Sequence, residues 1–94
     1  MNMFYVISFD ISDDKIRYRV VKALKGYGIR VQKSVFECAG MTEKQFLKLK
    51  DRLEGLIDET TDSVRYYRLC KNCLGEVELS GIGQAPVDEK FEVL

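Results

Sequence analysis

Asp10 ends the run Met3–Asp10 (MFYVISFD), in which every earlier residue is uncharged. Strand interiors disfavour aspartate. An acid in this place therefore either shapes the turn before the next element or projects from a strand end as a ligand. A carboxylate is a hard oxygen donor, the kind that holds Mg²⁺ with one or two carboxylates, water and substrate phosphate. A metal held that way activates water and neutralises charge developing at phosphorus. Asp13 and Asp14 follow closely, where they read as dipole-complementing acids of a first helical turn. The sequence contains no histidine, so a Ser-His or Cys-His nucleophile is excluded. It also lacks a Walker-type glycine loop. The catalytic options narrow to carboxylate–metal chemistry or none.

The bases are distributed unevenly. Net charge is zero, yet residues 15–36 carry Lys15, Arg17, Arg19, Lys22, Lys25, Arg30 and Lys33 and no acid. Such a segment beside a carboxylate suits a phosphate backbone without a basic overall composition. The same pattern also describes a solvated helix face. Arg17 and Arg19 fall on the helix after Asp10, and Arg30 opens the next strand. Arginine grips phosphate bidentately. A step of two residues turns a helix by about 200°, so at most one of Arg17 and Arg19 shares Asp10's site. The other extends a groove. Phe36, in mid-strand, can stack on a base or fill the core.

Cys70-Lys71-Asn72-Cys73 has the spacing of half a zinc site or of a redox pair. The third cysteine, Cys38, ends a different strand. If the two strands are antiparallel neighbours, roughly seven or eight residues at about 3.3 Å each separate the thiols. A three-thiol site in one chain then fails, although two chains could pool cysteines at a dimer axis. The redox reading lacks a thioredoxin-like strand-to-helix setting, and buried or loop thiols are expected. An odd cysteine count fits a reducing compartment better than a disulfide framework, and no apolar run approaches the roughly 18–20 residues of a membrane span. A cytoplasmic location is expected.

These residues need elements to hold them. Met3–Asp10 reads as a strand, and Ser12 as the N-cap of a helix running to about Tyr27. Arg30–Ala39 reads as a second strand broken by Gly40. Thr42 caps a second helix, with Gln45 completing a capping box and Phe46, Leu49, Leu53, Leu56 and Ile57 as its buried stripe. Ser63–Cys70 is a third strand and Glu76–Ser80 a short fourth. Residues 1–80 make one domain. In residues 81–94, Gly81–Gly83 and Pro86 form a linker, and Phe91–Leu94 an added strand. The architecture is two-layer α+β. A ferredoxin-like order requires Arg30–Val35 and Phe36–Ala39 to form a bent pair or another merging of strands, and the strand count stays open. The first strand is apolar on both faces. Helices in so small a domain cover only one, so a second subunit is the expected cover for the other.

Taken together, Tyr5–Lys15 (YVISFDISDDK), Gly28–Glu37 (GIRVQKSVFE) and Asp62–Tyr67 (DSVRYY) resemble the signatures of the CRISPR-associated adaptation endonucleases, the second core Cas protein. The similarity spans nearly the whole chain, and Leu69–Gly75 shares it. It implies a ferredoxin-like homodimer with sheet faces packed together and a C-terminal segment reaching across to the partner. It further implies Mg²⁺-dependent phosphodiester cleavage of RNA or DNA with Asp10 from each subunit as catalytic and metal-binding acid. Arg17, Arg19, Arg30 and Phe36 match positions linked to activity or nucleic-acid contact. The expected partner is the CRISPR integrase, whose dimers the protein would bridge while DNA is inserted as a spacer. A non-catalytic adaptor is the alternative. Phe9 departs from members with tyrosine beside the aspartate.

Overall fold

A computed structural model describes residues 2–81 of the 94-residue chain. The order is β1 (Met3–Asp10), α1 (Asp14–Lys25), β2 (Ile29–Gln32), β3 (Val35–Met41), α2 (Glu43–Leu56), β4 (Ser63–Leu69) and α3 (Lys71–Gly75). The strands form one antiparallel sheet in the order β2-β3-β1-β4. Through β4 this is the ferredoxin-like order, and it resolves the strand count. The segment expected as one strand, Arg30–Ala39, is a hairpin that turns at Lys33 and Ser34, with β2 at the edge and β3 inside. Gly40 does not end the strand. Its φ of 63° lets β3 continue to Met41 past a register shift opposite Met3 and Tyr5, a bulge that glycine accommodates readily.

Local chemistry explains the helix boundaries. The N-cap of α1 is Asp13, not Ser12: its carboxylate accepts the backbone N–H groups of Lys15 (2.8 Å) and Ile16 (3.0 Å). Those bonds hold the Asp13 carboxyl below its ordinary range. Ser12 instead donates its own N–H to Asp62. The expected capping box on α2 is present, Thr42 and Gln45 exchanging bonds of 3.0 and 3.1 Å. At the α1–β2 turn, a Cβ on Gly28 would lie 2.4 Å from the Glu37 carbonyl oxygen and 2.6 Å from the Cys38 sulfur. Only glycine lets the turn come so close to β3.

Two helices cover one face of the sheet. Tyr5, Ile7, Phe9, Phe36 and Cys38 meet Val20, Leu24, Leu49 and Leu53 in a single core. The Phe46 ring stacks on Tyr5 with centroids 4.1 Å apart and meets Tyr66 edge-on at 5.4 Å. Burying apolar area of this kind supplies most of the driving force for folding. The other face carries Phe4, Val6, Ser8 and Asp10 of β1, with Tyr67 and Leu69 of β4 and Val35 and Glu37 of β3 beside them. Here the chain covers only one end. α3 packs against β1 and β4, and Phe4 and Leu74 are both buried there, outside the main core.

The segment expected as a fourth strand, Glu76–Ser80, is irregular. The chain turns into α3 directly after β4, between that strand and this segment. The expected added strand Phe91–Leu94, and the linker beyond Gly81, lie outside the described residues.

Candidate metal and nucleic-acid site

At the C-terminal end of β1, Asp10 pairs with Ser63 of β4 and its side chain is exposed. The alternation of β1 places it on the face opposite α1 and α2, at the far end from α3, while its neighbours Phe9 and Ile11 are buried. On the other flank, Phe9 donates its N–H to the carbonyl of Ser34 (3.0 Å), so the β2–β3 turn abuts the same sheet end. No hydrogen bond or ion pair joins the Asp10 carboxylate to another described residue. The turn reading of this acid is thereby weakened, because a turn-forming aspartate bonds its own following backbone, as Asp13 does.

The loop leaving Asp10 is fastened at two points. Arg17 donates from Nη1 to the Ile11 carbonyl (2.8 Å) and pairs through Nη2 with Asp14. Asp62, a buried acid just before β4, accepts from Ser12 N (3.4 Å), Asp58 N (3.0 Å) and the Thr61 hydroxyl (3.2 Å). The clasp joins residues 50 apart in the chain, which no local pattern around Asp62 announces. Asp62 opens the third family-like segment, and that was the available signal.

The arginines separate as the helical angle requires. Arg17 sits beside Asp10's loop. Arg19 instead lines a shallow groove of about 480 Å³ with Asp14, Lys15, Tyr18 and Lys22, in which the Tyr18 ring is 68% exposed. Arg30 lies on β2, beside α1, and its guanidinium donates to the Lys33 carbonyl (Nε, 3.0 Å; Nη2, 2.5 Å), bracing the hairpin turn. Its remaining donors are exposed. Phe36 is corrected outright: it has 0% exposure and lies 6.3 Å from the Phe9 ring. No base can stack on it in this packing, and its part in the site is to seat the strand that carries Asp10.

One chain offers one accessible hard carboxylate here. Among the described residues, no three His, Cys, Asp or Glu side chains gather as a metal cluster. Mg²⁺ takes as few as one or two carboxylates and keeps water and phosphate in its remaining positions. The donor at Asp10 fits that habit, with a second copy or a substrate completing the shell.

The cysteines also depart from expectation. β3 and β4 flank β1 and are not neighbours. Cys38 points into the core, where burial pushes its thiol up to about 12, whereas Cys70 and Cys73 are exposed. β4 runs directly into Cys70, the N-cap of the five-residue helix α3, a strand-to-helix turn without the βαβ setting of a thioredoxin-like motif.

Residues 3–77 match the family model for CRISPR associated protein Cas2. A relative from Chloroflexus aurantiacus named CRISPR-associated endoribonuclease Cas2 1 is 46% identical over 85 residues, covering 89% of this chain and 90% of its own. The crystal structure of Streptococcus pyogenes Cas2 superposes with a TM-score of 0.74 at 40% identity, over 84% of this chain and all of that one. A chain of a partial Cas6-RT-Cas1–Cas2 complex gives a TM-score of 0.71 at 30% identity, over 90% and 95%.

Proposed function

The chain belongs to the Cas2 family of CRISPR-associated proteins, and from this premise we propose that it is a homodimeric, Mg²⁺-dependent nuclease acting on RNA or DNA. The observation that carries the reading is Asp10: an exposed carboxylate, bonded to no other described residue, on the sheet face that α1 and α2 leave open. The nuclease part is supported by relatives named endoribonuclease or endonuclease. The homodimer reading rests on the apolar residues left on that face, Val6, Val35, Tyr67 and Leu69 among them.

In a dimer closed through these faces, the two Asp10 carboxylates would hold Mg²⁺ as hard oxygen ligands, and the chemistry that ion would supply is water activation and charge neutralisation at the scissile phosphate. The protein's own groups do the rest. Arg17 fixes the loop that aims Asp10, its Nη1 committed to Ile11 and its Nη2 to Asp14. The exposed Arg19, Lys15 and Lys22 hold the phosphate backbone away from the cleavage point, and their contribution weakens with salt. Arg30 contributes its free donors from the edge strand. The packing of Ile7 and Phe9 keeps the strand end rigid, so Asp10 need not be ordered when substrate arrives.

The chain's second role is as partner of the CRISPR integrase, with the dimer bridging integrase dimers during spacer integration. The structural similarity to a chain from a Cas1–Cas2 complex supports that assignment. The two roles come apart in one experiment. Single- and double-stranded RNA and DNA are incubated with Mg²⁺ or EDTA, using wild type and Asp10→Ala. The nuclease reading expects cleavage by wild type with Mg²⁺ and a loss of at least about 100-fold in the variant. Equal cleavage by both, or by neither, leaves the adaptor role alone.

A further inference from the structure

Cys70 and Cys73 take no part in the site just described. Their sulfurs are 3.3 Å apart, and Cys70 Sγ also accepts the Cys73 backbone N–H at 3.3 Å. Both side chains are exposed, and both are free thiols. The chain arrives from β4 and turns at Cys70 into α3, so both thiols are carried on a short turn anchored to the sheet by buried Leu74. A disulfide requires sulfurs about 2.05 Å apart, which asks only a small rotation of side chains already in contact. We propose that Cys70 and Cys73 form a redox-active dithiol that closes to a disulfide by reaction with a low-molecular-weight disulfide.

The two thiols have unequal roles. The backbone N–H of Cys73 donates to the Cys70 sulfur and, with the sulfur contact, holds its thiol below the ordinary range, while the neighbouring Cys70 sulfur holds Cys73 above it. Cys70 is the attacking group, because the thiolate is the nucleophile. Its thiolate attacks one sulfur of the small disulfide, the S–S bond there breaks, and the first small thiol leaves carrying the proton that Cys70 gave up. Cys73 then loses its proton and attacks the Cys70 sulfur, expelling the second small thiol. The pair gives up two electrons and two protons, and one disulfide becomes two thiols. Excess small thiol runs the exchange backward. Cys38 stays outside it, buried in the core with its thiol pushed up to about 12. The closed bond spans the first turn of α3, the element beside which Phe4 is buried on the otherwise open face.

The test uses the full chain and glutathione disulfide. Treated protein is denatured, alkylated and weighed intact. The expected product has lost 2 Da and two of its three alkylatable thiols, and dithiothreitol restores both. Trypsin cuts after Lys71, between the two cysteines, so the bond must appear as Leu69–Lys71 joined to the peptide beginning at Asn72. In Cys73→Ser the mixed disulfide is trapped on Cys70, and it forms roughly tenfold faster than on Cys73 in Cys70→Ser. Three thiols surviving treatment, glutathione adducts that persist in wild type, or a bond joining two chains would each overturn the proposal. Faster reaction at Cys73 would overturn the assignment of Cys70 as nucleophile.

Discussion

Val6 and Ile7 are adjacent on β1 and chemically alike, yet they face two different surroundings. Ile7 has 0% exposure, enclosed by the helix-covered core. Val6 is half-buried on the opposite face, which α3 covers only at the Phe4 end. One face is completed by the chain itself and the other is left for something else to complete. The difference separates stability from assembly. Residues on the covered face should govern whether the monomer folds, and those on the open face whether two copies meet and bring their Asp10 carboxylates together.

The largest expected effect is on the covered face. Ile7→Ala should lower unfolding free energy by about 2–5 kcal/mol in urea denaturation, with the same loss at every protein concentration. Val6→Ala should cost the monomer about 1 kcal/mol or less and should instead weaken the dependence of the unfolding midpoint on protein concentration. Equal, concentration-independent losses at both positions would erase the distinction between faces. Next in size is the clasp behind Asp10. Asp62→Ala leaves the N–H groups of Ser12 and Asp58 without their acceptor and should cost about 1–3 kcal/mol, while the apparent affinity for Mg²⁺ falls because the loop is looser.

Smaller effects probe groups that the covered face accommodates poorly. The hydroxyl of Tyr66 is buried with no partner among the described residues, and burial together with Glu54 pushes its proton affinity up to about 12. Tyr66→Phe should therefore be neutral or stabilising by up to about 1 kcal/mol in the same denaturation series. Burial likewise raises the Cys38 thiol from 9.0 to about 12. Between those values the unfolded chain has released a proton that the folded chain retains, so stability falls as pH rises from 9 toward 12 and is unaffected by this group below 9. Cys38→Ala should flatten that alkaline decline when thermal midpoints are followed across the range.

Much of this was legible in the sequence because local signals and tertiary demands coincide. The MFYVISFD run could be little other than a strand, and the Thr42–Gln45 box fixed the start of α2, although the helix ends at Leu56 with the expected stripe residue Ile57 as its extended C-cap. Within Arg30–Ala39 a strand pair was legible only as a demand of the ferredoxin-like order, and its turn lies at Lys33 and Ser34 rather than after Val35. Lys33-Ser34 carries no glycine or proline, and the turn is held by the Arg30 guanidinium on the Lys33 carbonyl, a bond that residue types do not announce. Ser12 and Asp13 are both good N-caps by residue type, and the helix starts at Asp14, so it is the Asp13 carboxylate that accepts the N–H groups of Lys15 and Ile16. Asp10's exposure could be read from alternation along β1. Phe36 could not be placed, since an aromatic in mid-strand suits a core or a binding face equally until the sheet order is known. The Cys70–Cys73 pair was seen, but the strand-to-helix turn that makes it a contact depends on where β4 ends.

The central claim is that the open face closes on a second copy and that cleavage belongs to the closed pair. Val6→Arg tests it most directly, with light scattering and Mg²⁺-dependent cleavage measured on the same sample at micromolar concentration. A charge placed on the half-buried face should leave the monomer folded, reduce the mass from twice that of the 10.9 kDa chain to that of a single chain, and abolish cleavage with it. A monomeric wild type, or a monomeric variant that cleaves at the wild-type rate, would contradict the account.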